Sequence, residues 1–105
     1  MSLFYYLNTD HTYHPCDVHE WREQFEKMDR HVADDVINDL RVSTVWLGND
    51  HNILGDRPLL LETMVFEGKG YMEIYCDRYS TWDEAVIGHK KAIQWVKDGC
   101  KDEPR

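Results

Sequence analysis

Apolar and polar positions follow two rhythms along this chain, one of period two and one of period three to four. Leu3–Leu7, "LFYYL", is a short aromatic run closed by Asn8-Thr9-Asp10 and predicts a strand. "HTYHPC", residues 11–16, reads as a loop, because Pro15 resists a helix before it. Asp17 then fits an N-cap, with Glu20 three residues on completing a capping box. Val18, Trp21, Phe25 and Met28 recur at spacings of three and four, which predicts a helix over 17–29 with one apolar face.

Residues 31–39, "HVADDVIND", fit two templates. Val32, Val36 and Leu40 could extend the helical face, or the segment could be a strand turning at Asn38-Asp39. Arg41–Leu47, "RVSTVWL", is rich in β-branched residues and alternates Val42, Thr44, Trp46 with Ser43, Val45, Leu47. A turn-rich loop, "GNDHNILGDRP", follows. "LLLETMVFE" at 59–67 reads as a central strand, "GKG" as a turn and "YMEIYCDRY" as the returning strand. Ser80 with Asp83 suggests a second capping box, and Trp82, Val86, His89, Ile93 and Val96 a second apolar stripe ended by Gly99.

The order of elements predicts an α+β domain: an antiparallel sheet of about four to five strands with two helices packed on one face. The middle strands follow one another without helical crossovers, which argues against a parallel sheet. The 105 residues form a single domain, with 98–105 read as a fraying tail.

Composition narrows the possibilities. A hydrophobic content of 42%, with four Trp and six Tyr, argues for a packed core rather than disorder. No apolar run approaches the roughly 20 residues of a membrane span. The N-terminus lacks a basic region and a small-residue cleavage site, so a cytosolic setting is expected. Cys16, Cys76 and Cys100 are sparse and odd in number, which suits reduced thiols; Cys76 reads as a small core residue and Cys100 as exposed. The net charge of −8 disfavours a broad phosphate-binding surface, so nucleic acid is not the expected partner. The imbalance is concentrated: Asp17–Asp39 holds eight acids against three bases. That segment would steer toward a basic partner.

"RVSTVWLGNDHN", then "PLLLETMVF", then "CDRYSTWDEAVIGH" together resemble a family of small, functionally uncharacterised phage and prophage proteins. Its members carry a VSTVWLG-x-DH run, then P-L-x-x-ETMVF, then RYST and GH. The likeness covers residues 41–89 and matches at Gly48, Asp50, His51, Glu62, Arg78, Ser80, Thr81 and His89, while Asn49 and the loop 52–58 depart from it. It implies a phage or prophage origin and the cytoplasm of a bacterial host, but no reaction. It also favours a strand over a helix at 31–37.

The candidate chemistry lies in a few polar residues. Asp50-His51 sits beyond a strand end, where a carboxylate and an imidazole could act as base and partner, or simply form a polar turn. Glu62 interrupts an otherwise apolar strand, so it needs a partner such as His51, Arg78 or His89. His89 sits on an apolar helical stripe beside Gly88, whose helix-propensity cost suggests close approach to the sheet. His11, His14, Cys16 and His19 are zinc-type ligands at spacings too tight for one tetrahedral site.

Three functions are carried forward. The first is a non-catalytic phage accessory protein binding a host or phage macromolecule, a protein above all, through Glu20, Glu23 and Glu26 of the acidic helix or through exposed aromatics. The second is a small hydrolase or metal- or ligand-binding protein using His51, Glu62 and His89. The third is a self-associating structural component, a homodimer for instance, built on Trp46 or Tyr71/Tyr75. None of them calls for a cofactor or a membrane partner.

Overall fold

The computed structural model describes residues 3–52, 55–67 and 72–101. In chain order the elements are β1 (Phe4–Leu7), β2 (Tyr13–Cys16), α1 (Val18–Lys27), β3 (His31–Ile37), β4 (Leu40–Trp46), β5 (Leu61–Glu67), β6 (Met72–Tyr79) and α2 (Trp82–Lys97). β3-β4-β5-β6 form a four-stranded antiparallel sheet in sequence order, and β1-β2 form a separate two-stranded one. The architecture is the expected α+β, with helices packed on a sheet face. No helix among the described residues is long and apolar enough to cross a membrane.

β2 corrects the loop expected at residues 11–16. The chain reverses between Asn8 and Thr12, with the Asn8 amide on the Thr12 carbonyl at 2.8 Å and Asp10 Oδ1 accepting from the Thr12 amide at 3.0 Å. His11 takes a left-handed φ of 71° in this turn. Pro15 pairs with Tyr5 on a strand partnered on one side only, where a missing N–H is tolerated. β1 in turn runs beside the chain beyond β4: the Tyr5 amide reaches the Gly48 carbonyl at 2.8 Å, and Phe4 bridges Asn49.

Helix α1 starts as its sequence predicts, with a reciprocal Asp17–Glu20 capping box. Segment 31–37 is a strand. Asn38 and Asp39 both have positive φ, 53° and 67°, the pattern of a two-residue type I′ hairpin turn. The second capping box is one residue later than Ser80/Asp83: Thr81 caps, and Glu84 closes the box. The buried stripe of α2 differs too, running through Ala85, Gly88, His89, Ala92 and Val96. Small residues set this stripe because the helix lies close to the sheet. A Cβ on Gly88 would collide with the Tyr79 ring and hydroxyl.

Antiparallel partners point to the same side of a sheet, so the register sorts the residues into two faces. Trp46–Leu61–Tyr79, Thr44–Thr63–Asp77 and Asp35–Val42–Val65–Tyr75 form rows on the helix side. Val45–Glu62–Arg78, Ser43–Met64–Cys76 and Arg41–Phe66–Glu73 form rows on the other. α2 packs across all four strands, while α1 rests on β1.

The core has two centres. One gathers Leu7, Trp46, Leu60, Leu61, Tyr79 and Ala85; the other gathers Val42, Val65, Tyr75, Ala92 and Val96. Residues 98–100, read from sequence as the start of a loose tail, bond back to the last turn of α2, with Gly99 at φ +84°. The turn expected at 68–70 and Tyr71 lie outside the described residues, as do 102–105.

Candidate functional site

The most site-like arrangement is a rod of polar side chains between α2 and the sheet. Asp35 on β3, Thr44 on β4 and Thr63 on β5 all face the helix, and His89 descends from α2 between them. His89 Nε2 is 2.7 Å from Asp35 Oδ2, and Nδ1 is 2.7 Å from Thr44 Oγ1. Thr44 Oγ1 is in turn 2.5 Å from Thr63 Oγ1. The His89 side chain is 5% exposed against 51% for Asp35, and both threonines are fully buried.

Chemistry sets the donor direction along this rod. An ionised carboxylate only accepts, so Nε2 must carry a proton toward Asp35. In the neutral imidazole, Nδ1 then accepts from the Thr44 hydroxyl, and Thr44 accepts from Thr63. Tyr79, the β6 residue beside this row, stands next to the line without joining it. Its hydroxyl is buried with no hydrogen-bond partner in contact among the described residues. Burial pushes the phenol up to about 12, and the Thr63 hydroxyl opposes that shift more weakly.

An aspartate–histidine–threonine line has the members of a nucleophilic relay. Here Thr44 is sealed between two strands and a helix, so its oxygen meets no solvent-borne carbonyl. The rod therefore works as structure, locking α2 to β3, β4 and β5. Tyr79 and Gly88 also form part of the wall of a cleft of about 360 Å³ between β6 and α2, whose charged lining is mixed: Arg57, Arg78 and Lys91 with Asp77 and Glu84, Arg57 being paired with Glu84.

The structure does not bring the three sequence candidates together. Glu62 is on the face opposite the rod, since its neighbour Thr63 points to α2. It is 7% exposed and accepts from Arg78 Nε at 3.0 Å, with the Cys76 sulfur at 3.6 Å. Arg78 was among the partners expected for it. His51 is exposed in the loop after β4, its amide on the Leu59 carbonyl at 3.2 Å. Beside it, Asp50 Oδ1 accepts from the Asn52 and Leu59 amides at 2.8 and 3.1 Å, so the Asp50 carboxylate is spent on local backbone amides and Asn49-Asp50-His51 is a segment bonded between Leu3–Phe4 and Leu59. An acid–base centre built on His51, Glu62 and His89 is thereby removed.

Cys76, expected in the core, is exposed on the open face. Shielding of its sulfur, then the Glu62 carboxylate, push the thiol up to about 11. The zinc-type residues are spent separately. His11 stacks on Trp82 with centroids 3.8 Å apart, and His14 stacks on Tyr6 with its Nδ1 2.8 Å from Asn8 Oδ1. Cys16 ends β2, and His19 is exposed on α1. Among the described residues, no group of three or more His, Cys, Asp or Glu could hold a metal ion.

Of the rings considered for self-association, Trp46 and Tyr75 are enclosed, at 1% and 5% exposure, and offer no outer contact, while Tyr71 lies outside the described residues. On α1, Glu20, Glu23 and Glu26 are all exposed. Glu20 is used in the cap, while Glu23 and Glu26 form no ion pair among the described residues. The rod itself escaped the sequence reading. Asp35, Thr44 and Thr63 lie far apart in the chain, and only the strand register unites them. Compared with protein-family models, curated proteins and solved structures, the chain matches none.

Proposed function

We propose that this chain is a small, non-catalytic accessory protein of phage or prophage origin that acts in the bacterial cytoplasm by docking on a basic surface of a host or phage protein. One observation supports the docking element above the rest: α1 fully buries none of its residues and turns to solvent two carboxylates, Glu23 and Glu26, that form no ion pair among the described residues. Its cations are fewer, Arg22 and Lys27, and beyond its end Arg30 is drawn over the Phe25 ring at 4.2 Å. A net charge of −8 adds long-range attraction for a basic partner. The origin rests on the likeness of residues 41–89 to the phage family pattern.

The test is affinity capture from nuclease-treated bacterial lysate, compared with the Glu23→Lys/Glu26→Lys variant. Glu20 is left intact because it also caps the helix. A stoichiometric protein captured by the wild type and lost by the variant is the expected result. A partner retained by the variant would exclude α1 as the docking element.

A further inference from the structure

We propose that the cleft between β6 and α2 is a binding site for a free α-amino acid with a short apolar side chain, held as its zwitterion. The cleft has a volume of about 360 Å³, near the lower end of the roughly 300–1,000 Å³ of ligand pockets, which suits a molecule of this size. The chain builds it where β6 turns back into α2. Glu84, Ile87, Gly88 and Lys91 recur at spacings of three and four, so one stripe of the helix forms one wall. Asp77 and Tyr79 are two apart on β6 and share the face that meets that stripe.

The charges of the lining divide into paired and unpaired. Arg57 Nη2 contacts both Glu84 carboxylate oxygens at 2.8 Å. Arg78 turns to the opposite face of the sheet, where its Nε donates to Glu62 at 3.0 Å. Two groups are left. The Asp77 carboxylate accepts from the Arg78 amide at 2.9 Å, and the Lys91 ammonium is exposed; neither forms an ion pair among the described residues. One acid and one base together offer no net attraction to a simple anion or a simple cation. They complement a ligand that carries both charges.

Tyr79 is the second, independent pointer. It is 8% exposed, and its hydroxyl is the one buried side-chain nitrogen or oxygen among the described residues with no hydrogen-bond partner. The hydroxyl lies against Gly88, where a Cβ would collide with it, so a glycine is what lets helix and phenol share this wall. A buried donor without an acceptor is unfavourable, and a carboxylate oxygen is a strong acceptor. These groups orient the ligand. Its carboxylate lies between Lys91 and the Tyr79 hydroxyl, its ammonium meets Asp77, and its side chain covers Leu59 and Ile87, the latter 55% exposed. The Tyr79 oxygen is itself covered, so its contact forms as the ring tips toward the ligand.

The experiment is an amide-resolved NMR titration of the full chain with L-leucine, beside isocaproate and isoamylamine, which keep the same side chain and one charge each. L-leucine should shift the Gly88 and Lys91 amides saturably with a Kd below about 10 mM, and each analogue should bind at least about tenfold more weakly. Lys91→Gln and Asp77→Asn should each weaken leucine about tenfold. Lys90→Gln, on the same helix but outside the cleft, should leave binding unchanged. Tyr79→Phe separates a ligand contact from a structural one: it removes an unpaired hydroxyl, so Tm should hold or rise while leucine binding falls about fivefold. No saturable shift by about 10 mM leucine would overturn the site. Either analogue bound as tightly as leucine, or leucine undisturbed in Asp77→Asn, would overturn the zwitterion. Undiminished binding in Tyr79→Phe would overturn the placement of the carboxylate.

Discussion

Replacing Thr44 by valine keeps the side-chain shape and removes the centre of the rod. Two buried groups lose their partner at once, the His89 Nδ1 lone pair at 2.7 Å and the Thr63 hydroxyl at 2.5 Å. An orphaned buried polar group costs roughly 1–3 kcal/mol, and the added methyl returns about 0.8 kcal/mol. Thr44→Val should therefore destabilise by about 2–4 kcal/mol, or roughly 10–20 °C in Tm for a domain of this size. Thr63→Val orphans less, because Thr44 can still donate to His89; about 1–2 kcal/mol is expected. The double variant is the sharper test. Once Thr44 is gone, the Thr63 hydroxyl is itself a liability, so removing it should cost little or nothing. The two changes should fall short of additivity by at least about 0.5 kcal/mol. The assay is urea unfolding followed by tryptophan fluorescence, with unchanged m-values as the sign that the end states are shared. A neutral Thr44→Val, or strictly additive single variants, would refute the view that these groups form one linked line.

Three further outcomes follow from other sites. Gly48→Ala should destabilise by roughly 2–4 kcal/mol in the same assay, because Gly48 has φ +77° and a Cβ there would lie 2.7–2.9 Å from the Trp21 and Trp46 indoles. Arg78→Met should cost about 1–2 kcal/mol by stranding Glu62, and a Glu62→Gln/Arg78→Met double variant should recover part of it, since an unpaired buried charge is worse than no charge. For acid sensitivity, the Arg57 guanidinium and then the Ser80 and Thr81 amides hold the Glu84 carboxyl below its usual range. A depressed folded value means its stabilisation is present above the unfolded value near about 4.3 and is lost as pH falls through the folded one. The stability gap between wild type and Glu84→Gln should therefore narrow as pH drops below about 4; a gap that widens would contradict this linkage.

How legible these features were depended on how local their causes are. The Asp17–Glu20 box, the β4 alternation and the Gly88 close approach are set by residues within one helical turn or one strand, and each was readable from spacing. Pro15 hides β2 in the sequence, because proline reads as a breaker while an edge strand absorbs its missing donor. Large side chains mark a stripe through Trp82, Val86 and Ile93, whereas the helix approaches the sheet through the small residues Ala85, Gly88 and Ala92. Glu62 interrupts an apolar strand and has the partner this calls for, Arg78; His89, on an apolar stripe, is paired as well, with Asp35. That they stand on opposite faces follows from a single fact: Glu62 is one residue from Thr63, and period two sends neighbours apart. No local pattern could have joined Asp35 to His89, 54 residues away.

The placement of the rod also bears on why the chain adopts one register. β3 is an edge strand with few apolar anchors: Asp34, Asp35 and Val36 are all exposed, Val36 at 71%. Hydrophobic burial alone specifies such a strand weakly, and a slip of one residue would exchange its faces. The slip would turn Asp35 away from α2 and bring Asp34 or Val36 toward His89. It would also break the Arg41 fork on Asp34, whose N···O contacts are 3.0 and 2.8 Å on the other face. The two polar contacts, one on each side of the strand, thus reject the same error. His89 takes Asp35 from within, and Arg41 takes Asp34 from without. Asp35→Asn should keep a hydrogen bond to the ring and therefore the register. Asp35→Ala should leave Nε2 unpaired and raise hydrogen exchange along β3 relative to β4 and β5. Uniform exchange across all three strands in Asp35→Ala would mean that the Asn38-Asp39 turn alone sets the pairing.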